Sequence, residues 1–410
     1  TTNDIGESFK FRTESKMSLV LFGGNLYTPD FIEDGAVLIH GHKILAAGDR
    51  SQVLSNDEAK NAELIDIQGK IISPGLIDIQ INGAGGADFT GNPFPSSLQT
   101  ITRLLPEFGC TSFLPTLLSA SNETILTALQ ATRWLRDNPE SGAQTLGLHV
   151  EGPFLNLERA GAHNTNLIRE PSMIDLNRWL QEAAGDLRLL TLAPEIPGAS
   201  TLIREASQRG VRISLGHTAA TYQEVMSAWD QGASIVTHLF NGMKAISARE
   251  PGIIGAIFDH DQFIATIIAD GIHVHPALLR ATIGIMGSER VVLVTDALSP
   301  VGTNIERFHL GTRVVEVRGG ACYLEDGTLA GSILSMDQAI RNVVRWVDLP
   351  LADAFRLGTI NPARAIGVES SKGSLTAGKD ADVVIWTQSL EVELVFTRGL
   401  ATYQRSGLSQ

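Results

Sequence analysis

Between Leu76 and Asp296 the chain repeats one pattern eight times: a short apolar run, a turn, and in most cases an amphipathic stretch before the next run. The runs cover 76–81, 111–117, 145–151, 187–193, 211–217, 234–238, 263–270 and 291–296. Amphipathic stretches at 121–137, 172–182, 200–209, 221–231 and 276–286 read as helices, and two more at 335–346 and 351–363 follow the last run. Runs this short and apolar are strands buried on both faces, and strands alternating with helices form a parallel sheet. Eight such units specify an α/β fold, a (β/α)8 barrel, in which chemistry is carried at the C-terminal ends of the strands.

The flanks have another texture. From Ser18 to Ile67, and again from Ala381 to Arg398, short β-rich runs are broken by Gly, Pro and Asp. Chain termini often lie close together, so these flanks read as one small β-sandwich domain built from both ends. The expected division is 17–72 and 372–410 for the small domain and 73–371 for the barrel. Residues 1–16 are polar and aperiodic and read as a disordered tail or an added extension ahead of Met17.

Composition narrows the classes of function. The formal charge is −13, from 32 Lys and Arg against 45 Asp and Glu, which opposes nucleic-acid binding. It also means that an anionic substrate needs locally placed cations. No apolar run approaches the roughly 18 residues of a membrane span, and no signal-peptide core is present. The two cysteines, Cys110 and Cys322, are far apart and read as buried free thiols. Together these features point to a cytoplasmic protein.

Four of the eight runs end in groups that bind metal or move protons. Run three ends in Glu151, run five in His217, run six in His238 and run eight in Asp296. One histidine at a barrel rim is usually just a satisfied polar side chain. Four such groups on four strand tips form a set: three protein ligands leaving an open position for water is the catalytic zinc arrangement. Asp296 beside it is suited to take a proton from that water and return it to a leaving group. Run one ends in Gln80 and Asn82, where two histidines would have made a second metal site. Neutral amides are poor ligands, so one divalent ion per chain is expected, with Gln80 as an outer contact. His163, His273 and Arg249 lie in loops after runs three, seven and six, where substrate is met; Arg is the natural clamp for a phosphate. The run Asn82-Gly83-Ala84-Gly85-Gly86 lacks phosphate-loop spacing and reads as a tight turn. There is no Gly-x-Ser-x-Gly elbow, and no convincing nucleophilic cysteine.

Several motifs then resemble a known family. Ser73-Pro74-Gly75-Leu76-Ile77-Asp78, the strand-end histidines and the Asp after strand eight are similar to the amidohydrolase superfamily. Within it, His149-Val150-Glu151-Gly152-Pro153, Gly161-Ala162-His163-Asn164, Gly216-His217-Thr218, Thr237-His238-Leu239-Phe240-Asn241-Gly242-Met243, Arg249-Glu250-Pro251-Gly252, Asp270-Gly271-Ile272-His273 and Leu329-Ala330-Gly331-Ser332 resemble the N-acetylglucosamine-6-phosphate deacetylases, in family order, from about Leu19 to the C-terminus. The resemblance implies hydrolysis of an acetamide on a phosphosugar, in amino-sugar catabolism and cell-wall sugar recycling. It makes Glu151, His217 and His238 ligands of one ion, zinc or alternatively iron, and Asp296 the acid/base. It places Ala162, His163, Asn241, Gly242, Arg249, Asp270, His273, Leu329, Ala330 and Gly331 against substrate. It further implies a homodimer in which Arg249 is lent to the partner's pocket. Two positions depart from the family: Gly242 stands where Ala is common, and Ala330 where Ser is common. Alternatives are a deacetylase for a galactosamine epimer, separated by a substrate panel, and a catalytically silent phosphosugar-binding barrel, separated by one acetate-release assay.

Overall fold

The structure is a computed structural model that describes residues 2–4, 18–28 and 30–406. The eight apolar runs are present as strands β1 (Leu76–Ile81), β2 (Cys110–Leu117), β3 (Leu148–Glu151), β4 (Leu187–Leu192), β5 (Arg212–Leu215), β6 (Ala233–Val236), β7 (Ile264–Ile267) and β8 (Val291–Leu293). Each pairs in parallel with the next in sequence. Ile81 bridges Ala297 in parallel, and the Asp296 N–H donates to Gln80 O at 2.9 Å, so the ends of β1 and β8 meet and the barrel closes.

Several strands are shorter than the apolar runs that announced them. β6, β7 and β8 end two to three residues early, and β3 is separated from a two-residue piece, Gln144–Thr145, by Gly147 at φ 125°. Three helices begin one residue later than the sequence pattern places them. Ser121, Ser172 and Thr221 precede helices Asn122–Asp137, Met173–Ala183 and Tyr222–Asp230, and their side chains accept from the N–H three residues on. A side-chain oxygen that caps a helix stands outside it, and each cap contributes about 1 kcal/mol. The expected helix 351–363 is two, Leu351–Gly358 and Ile360–Ala365, broken at Thr359. Pro362 is the physical reason, since it has no N–H with which to continue the helical ladder.

One unit has no counterpart in the sequence pattern. After β8 the chain forms a four-stranded antiparallel sheet of Arg307–Leu310, Arg313–Arg318, Ala321–Leu324 and Leu329–Ser332. Its last strand returns to the barrel mouth, where Ser332 bridges Ala297.

The flanks form the separate small domain. Ser18–Thr28, Asp30–His40, Lys43–Asp49, Glu63–Asp66 and Ile71–Pro74 share one sheet with Val383–Trp386, Val392–Thr397 and Leu400–Gln404 from the other end of the chain. Leu21, Val37, Ile44, Ile385 and Phe396 meet in one apolar cluster, so the sheet curls over a core of its own. Buried Lys372 ties the C-terminal entry to this domain through Asp380 at 2.9 Å and Asp382 at 2.7 Å. Of the expected tail, Thr2–Asp4 pairs in parallel with Glu63–Asp66; the rest of 1–16 lies outside the described residues.

Candidate active site

Glu151, His217, His238 and Asp296 converge at the mouth of the barrel. Glu151 is the last residue of β3. The other three stand two or three residues beyond β5, β6 and β8, with φ of 48°, 34° and 47°. Left-handed backbone is uncommon outside glycine, although His and Asp tolerate it better than most, and it costs on the order of 1–3 kcal/mol per residue. Neighbouring strand ends hold these residues there: His238 N–H donates to Thr266 Oγ1 at 2.7 Å, and Leu239 N–H to Thr266 O at 2.8 Å.

Glu151 Oε1 lies 3.1 Å from His217 Nε2 and 2.8 Å from His238 Nε2, and the two ring nitrogens are 3.1 Å apart. All three side chains are buried. His217 Nδ1 is 2.7 Å from Arg159 O, which can only accept, so Nδ1 carries the ring proton and Nε2 of the neutral ring presents a lone pair to the cluster. Converging lone pairs on two imidazoles and a carboxylate repel unless a cation or a proton lies among them. The donor set and its convergence fit one divalent ion. Burial pushes the Glu151 carboxyl up; hydrogen bonds from His217 and His238 and their positive charge when these rings carry the proton, in the place a metal cation would take, outweigh it and hold it well below the usual range.

The strand-one amides meet the carboxylates as donors. Gln80 Nε2 lies 3.2 Å from Glu151 Oε2 and 3.3 Å from Asp296 Oδ1, and Asn82 Nδ2 donates to Asp296 Oδ1 at 2.7 Å. Burial, reinforced by the Glu151 charge, raises the Asp296 carboxyl to about 6. A carboxyl poised there can exchange a proton near neutral pH.

His163 faces the cluster from the loop after β3. Its Nδ1 accepts from Ser119 N–H at 3.1 Å, so in the neutral ring the proton sits on Nε2. That Nε2 has no hydrogen-bond partner among the described residues and lies 4.0 Å from Glu151 Oε1. Burial, helped by the adjacent His217, pushes the ring to about 3, leaving it a neutral N–H donor aimed into the pocket. On the opposite wall His273 Nδ1 bonds Asp270 Oδ2 at 2.6 Å, and Asp270 also takes the N–H groups of Ile272 and His273 at 2.8 Å each. Burial raises the Asp270 carboxyl, and its bond to His273 more than offsets this.

Asn82, Glu151, His163, His217, His238, His273 and Asp296 border a cavity of about 290 Å³, with Ala162, Asn241, Gly242, Leu329, Ala330 and Gly331 on its walls; Gln80 and Asp270 stand behind these groups. A Cβ on Gly242, at φ 60°, would lie 2.8 Å from His217 Nδ1, so this chain needs glycine at that family-variable position. A Cβ on Gly331 would lie 2.9 Å from Asp296 O. Arg249 is not on these walls: it is exposed, on the loop between β6 and helix Gly252–Asp259.

The structure adds supporting groups to which the sequence motifs give no role. Glu195 takes Ala219 N–H at 2.7 Å, Thr218 Oγ1 at 2.5 Å and Asn156 Nδ2 at 2.8 Å, which ties down the loop after His217. His149, beneath Glu151, is pushed by burial to about 4 and bonds Thr191 Oγ1 at 2.8 Å. Asp78 lies buried under the seam of β1 and β8, 2.5 Å from Thr295 Oγ1. For His149 and Asp78 the available signal is a polar residue inside an apolar run, whereas Glu195 lies just past one.

The sequence matches the model of the amidohydrolase family over residues 71–401. It is 38% identical over 377 residues to an N-acetylglucosamine-6-phosphate deacetylase of Bacillus subtilis, covering 90% of this chain and 93% of the relative. It is 37% identical over 332 residues to an N-acetylgalactosamine-6-phosphate deacetylase of Escherichia coli O157:H7, covering 80% and 87%. Among solved structures, a mutant N-acetyl-D-glucosamine-6-phosphate deacetylase of Mycobacterium smegmatis in complex with N-acetyl-D-glucosamine-6-phosphate superposes with a TM-score of 0.88 at 30% identity, covering 95% of this chain and all of that one.

Proposed function

The chain belongs to the amidohydrolase family, and on that premise we propose that it hydrolyses the acetamide of N-acetylglucosamine 6-phosphate to acetate and glucosamine 6-phosphate, in amino-sugar catabolism and cell-wall sugar recycling. The observation that carries this reading is the meeting of Glu151 Oε1, His217 Nε2 and His238 Nε2 beside Asp296 and the free His163 Nε2.

Glu151, His217 and His238 hold one divalent ion, most suitably zinc, with iron as the alternative. Bound there, the ion supplies the positive charge that polarises an acyl carbonyl and acidifies a water. Asp296 takes a proton from the attacking water and delivers it to the amine nitrogen as the C–N bond breaks. Asn82 and Gln80 aim the Asp296 carboxylate by their N–H groups. His163 Nε2–H donates to the carbonyl oxygen as negative charge builds on it. Asp270 orients His273 toward a sugar hydroxyl. Asn241, Gly242 and Arg249 hold the phosphosugar, and Ala162 with Leu329, Ala330 and Gly331 shape the wall. Arg249 acts on the pocket of a second copy in a homodimer, a reading supported by its exposure away from its own pocket. We place the protein in the cytoplasm, supported by two buried free thiols and by the absence, among the described residues, of any helix long and apolar enough to cross a membrane.

The galactosamine epimer is the second reading, favoured by the 37% identical relative. Acetate release by zinc-loaded protein from both 6-phosphates, with metal content measured on the same sample, tests the proposal. Faster release from the glucosamine substrate is expected. No release from either sugar would refute deacetylation, and a preference for the galactosamine substrate would assign the second reading.

A further inference from the structure

A second cavity, of about 470 Å³, lies beside the catalytic one, and the two share Leu118 and Ala162 as wall residues. The partition is thin. Leu118 and Ser119 follow β2, and Ala162 and His163 follow β3; Ser119 N–H and Oγ both bond His163 Nδ1, at 3.1 and 2.8 Å. The His163 ring therefore stands on the catalytic side, with Ser119 lining the other. Leu118 packs in an apolar cluster with Ala330 and Leu298, and Ala162 lies against it. Beyond the partition the second cavity is bordered by Pro93, Phe94, Ala120 and Leu310, with hydroxyl groups and the polar side chains of Glu123, Asn164 and Arg313 around the rest of its wall.

We propose that Leu118 fixes the length of the acyl chain this enzyme removes, and that the second cavity is the space a longer N-acyl chain would enter if Leu118 were smaller. This rests on the deacetylase reading above. If His163 takes the carbonyl oxygen and the sugar lies toward Asn241 and Gly242, the acyl methyl is left for an apolar corner. Leu118, Ala162 and Ala330 make that corner. An acetyl methyl fits against Leu118; each further methylene meets its side chain, and one unaccommodated methylene typically changes selectivity by about 10- to 200-fold.

The test is the ratio of kcat/KM for N-butyryl- to N-acetylglucosamine 6-phosphate in zinc-loaded wild type, Leu118→Val and Leu118→Ala. A ratio is independent of how much of each variant folds. Wild type should favour acetyl strongly. The ratio should rise at least tenfold in Leu118→Ala, and less, beginning with N-propionyl, in Leu118→Val. An unchanged ratio in both variants, or a wild type that takes butyryl as readily as acetyl, overturns the assignment. Dissociation constants of the two substrates for Asp296→Asn and for Leu118→Ala/Asp296→Asn, by calorimetry, read the same selectivity without turnover. Failure of wild type to release acetate therefore counts against the deacetylase reading alone, whereas an unmoved binding ratio counts against Leu118.

Discussion

Glu151, His217, His238 and Asp296 stand on strand ends tied on both sides into a closed barrel, whereas Asn241, Gly242, Arg249 and Leu329–Gly331 stand on one loop and one inserted sheet. The first group tolerates left-handed backbone at three residues that carry side chains, because the hydrogen bonds of adjacent strands over-determine their positions. In the second group the close approaches are left to glycine, and Arg249 is exposed with no ion pair among the described residues. The difference assigns different work. A fixed half can hold an ion and place a proton within tenths of an ångström. An open half can admit and release a phosphosugar, and can be completed by a second chain.

Removing a ligand breaks the fixed half outright. His217→Ala or His238→Ala should lose the ion and fall to background activity together, because two remaining donors do not hold a catalytic ion. Elemental analysis of the purified variants checks this; full occupancy in either one removes that residue from the ligand set. Wild type should hold about one ion per chain, since Gln80 and Asn82 spend their N–H groups on the carboxylates.

Asp296→Asn separates holding the ion from moving the proton. The variant should retain metal while kcat falls by about 10²- to 10⁴-fold, the usual range for loss of a positioned acid/base. Near-normal turnover would mean that another group carries the proton.

The open half should respond more gently and more selectively. Arg249→Ala should lower kcat/KM for the phosphorylated sugar by about 10- to 100-fold, the loss expected for charge-assisted hydrogen bonds, with little change for the unphosphorylated sugar. With a net charge of −13, long-range attraction cannot replace a local cation. Equal small changes on both sugars would take Arg249 out of the site. Mixing Arg249→Ala chains with Asp296→Asn chains tests its donation across a dimer: shared pockets should recover part of the activity, and pockets complete within one chain should recover none.

The same division explains what the sequence made legible. Glu151, His217, His238 and Asp296 could be read because apolar runs end at or near them, and a run of six or so residues locates a strand tip within two or three positions. The inserted sheet at 307–332 could not. Its strands alternate only weakly, and its boundaries lie in Gly311, Gly319, Gly320 and Gly327, which look the same in any loop. Leu329 to Gly331 are legible only through the family resemblance, since nothing local says that this strand returns to the mouth. Arg249 shows a further limit: its loop could be placed on the barrel face, while its partner group is a matter of assembly. Asp78 lies inside an apolar run, but its burial depends on β1 meeting β8, a contact more than 200 residues apart in sequence.

Asp78 supplies the smallest test, directed at the foundation of the fixed half. It is fully buried, takes Thr295 Oγ1 at 2.5 Å and Gln80 N–H at 3.1 Å, and so pins β1 and β8 beneath Asp296. Burial raises its carboxyl to about 7, against about 3.9 for an unfolded Asp. Between those values the folded state keeps the proton and the unfolded chain does not, so folding takes up a proton. The stabilisation from protonated Asp78 is full below pH 4 and is lost as pH rises to 7; above that both states are ionised and the slope ends. A carboxamide in its place cannot titrate. Asp78→Asn should therefore show a smaller drop in Tm between pH 5 and pH 8 than wild type, by a few degrees, measured with the metal held saturating at both pH values. Parallel Tm–pH curves for the two proteins would show that Asp78 is charged throughout the window, and that the seam between β1 and β8 is held by a carboxylate that Thr295 and the Gln80 N–H suffice to stabilise.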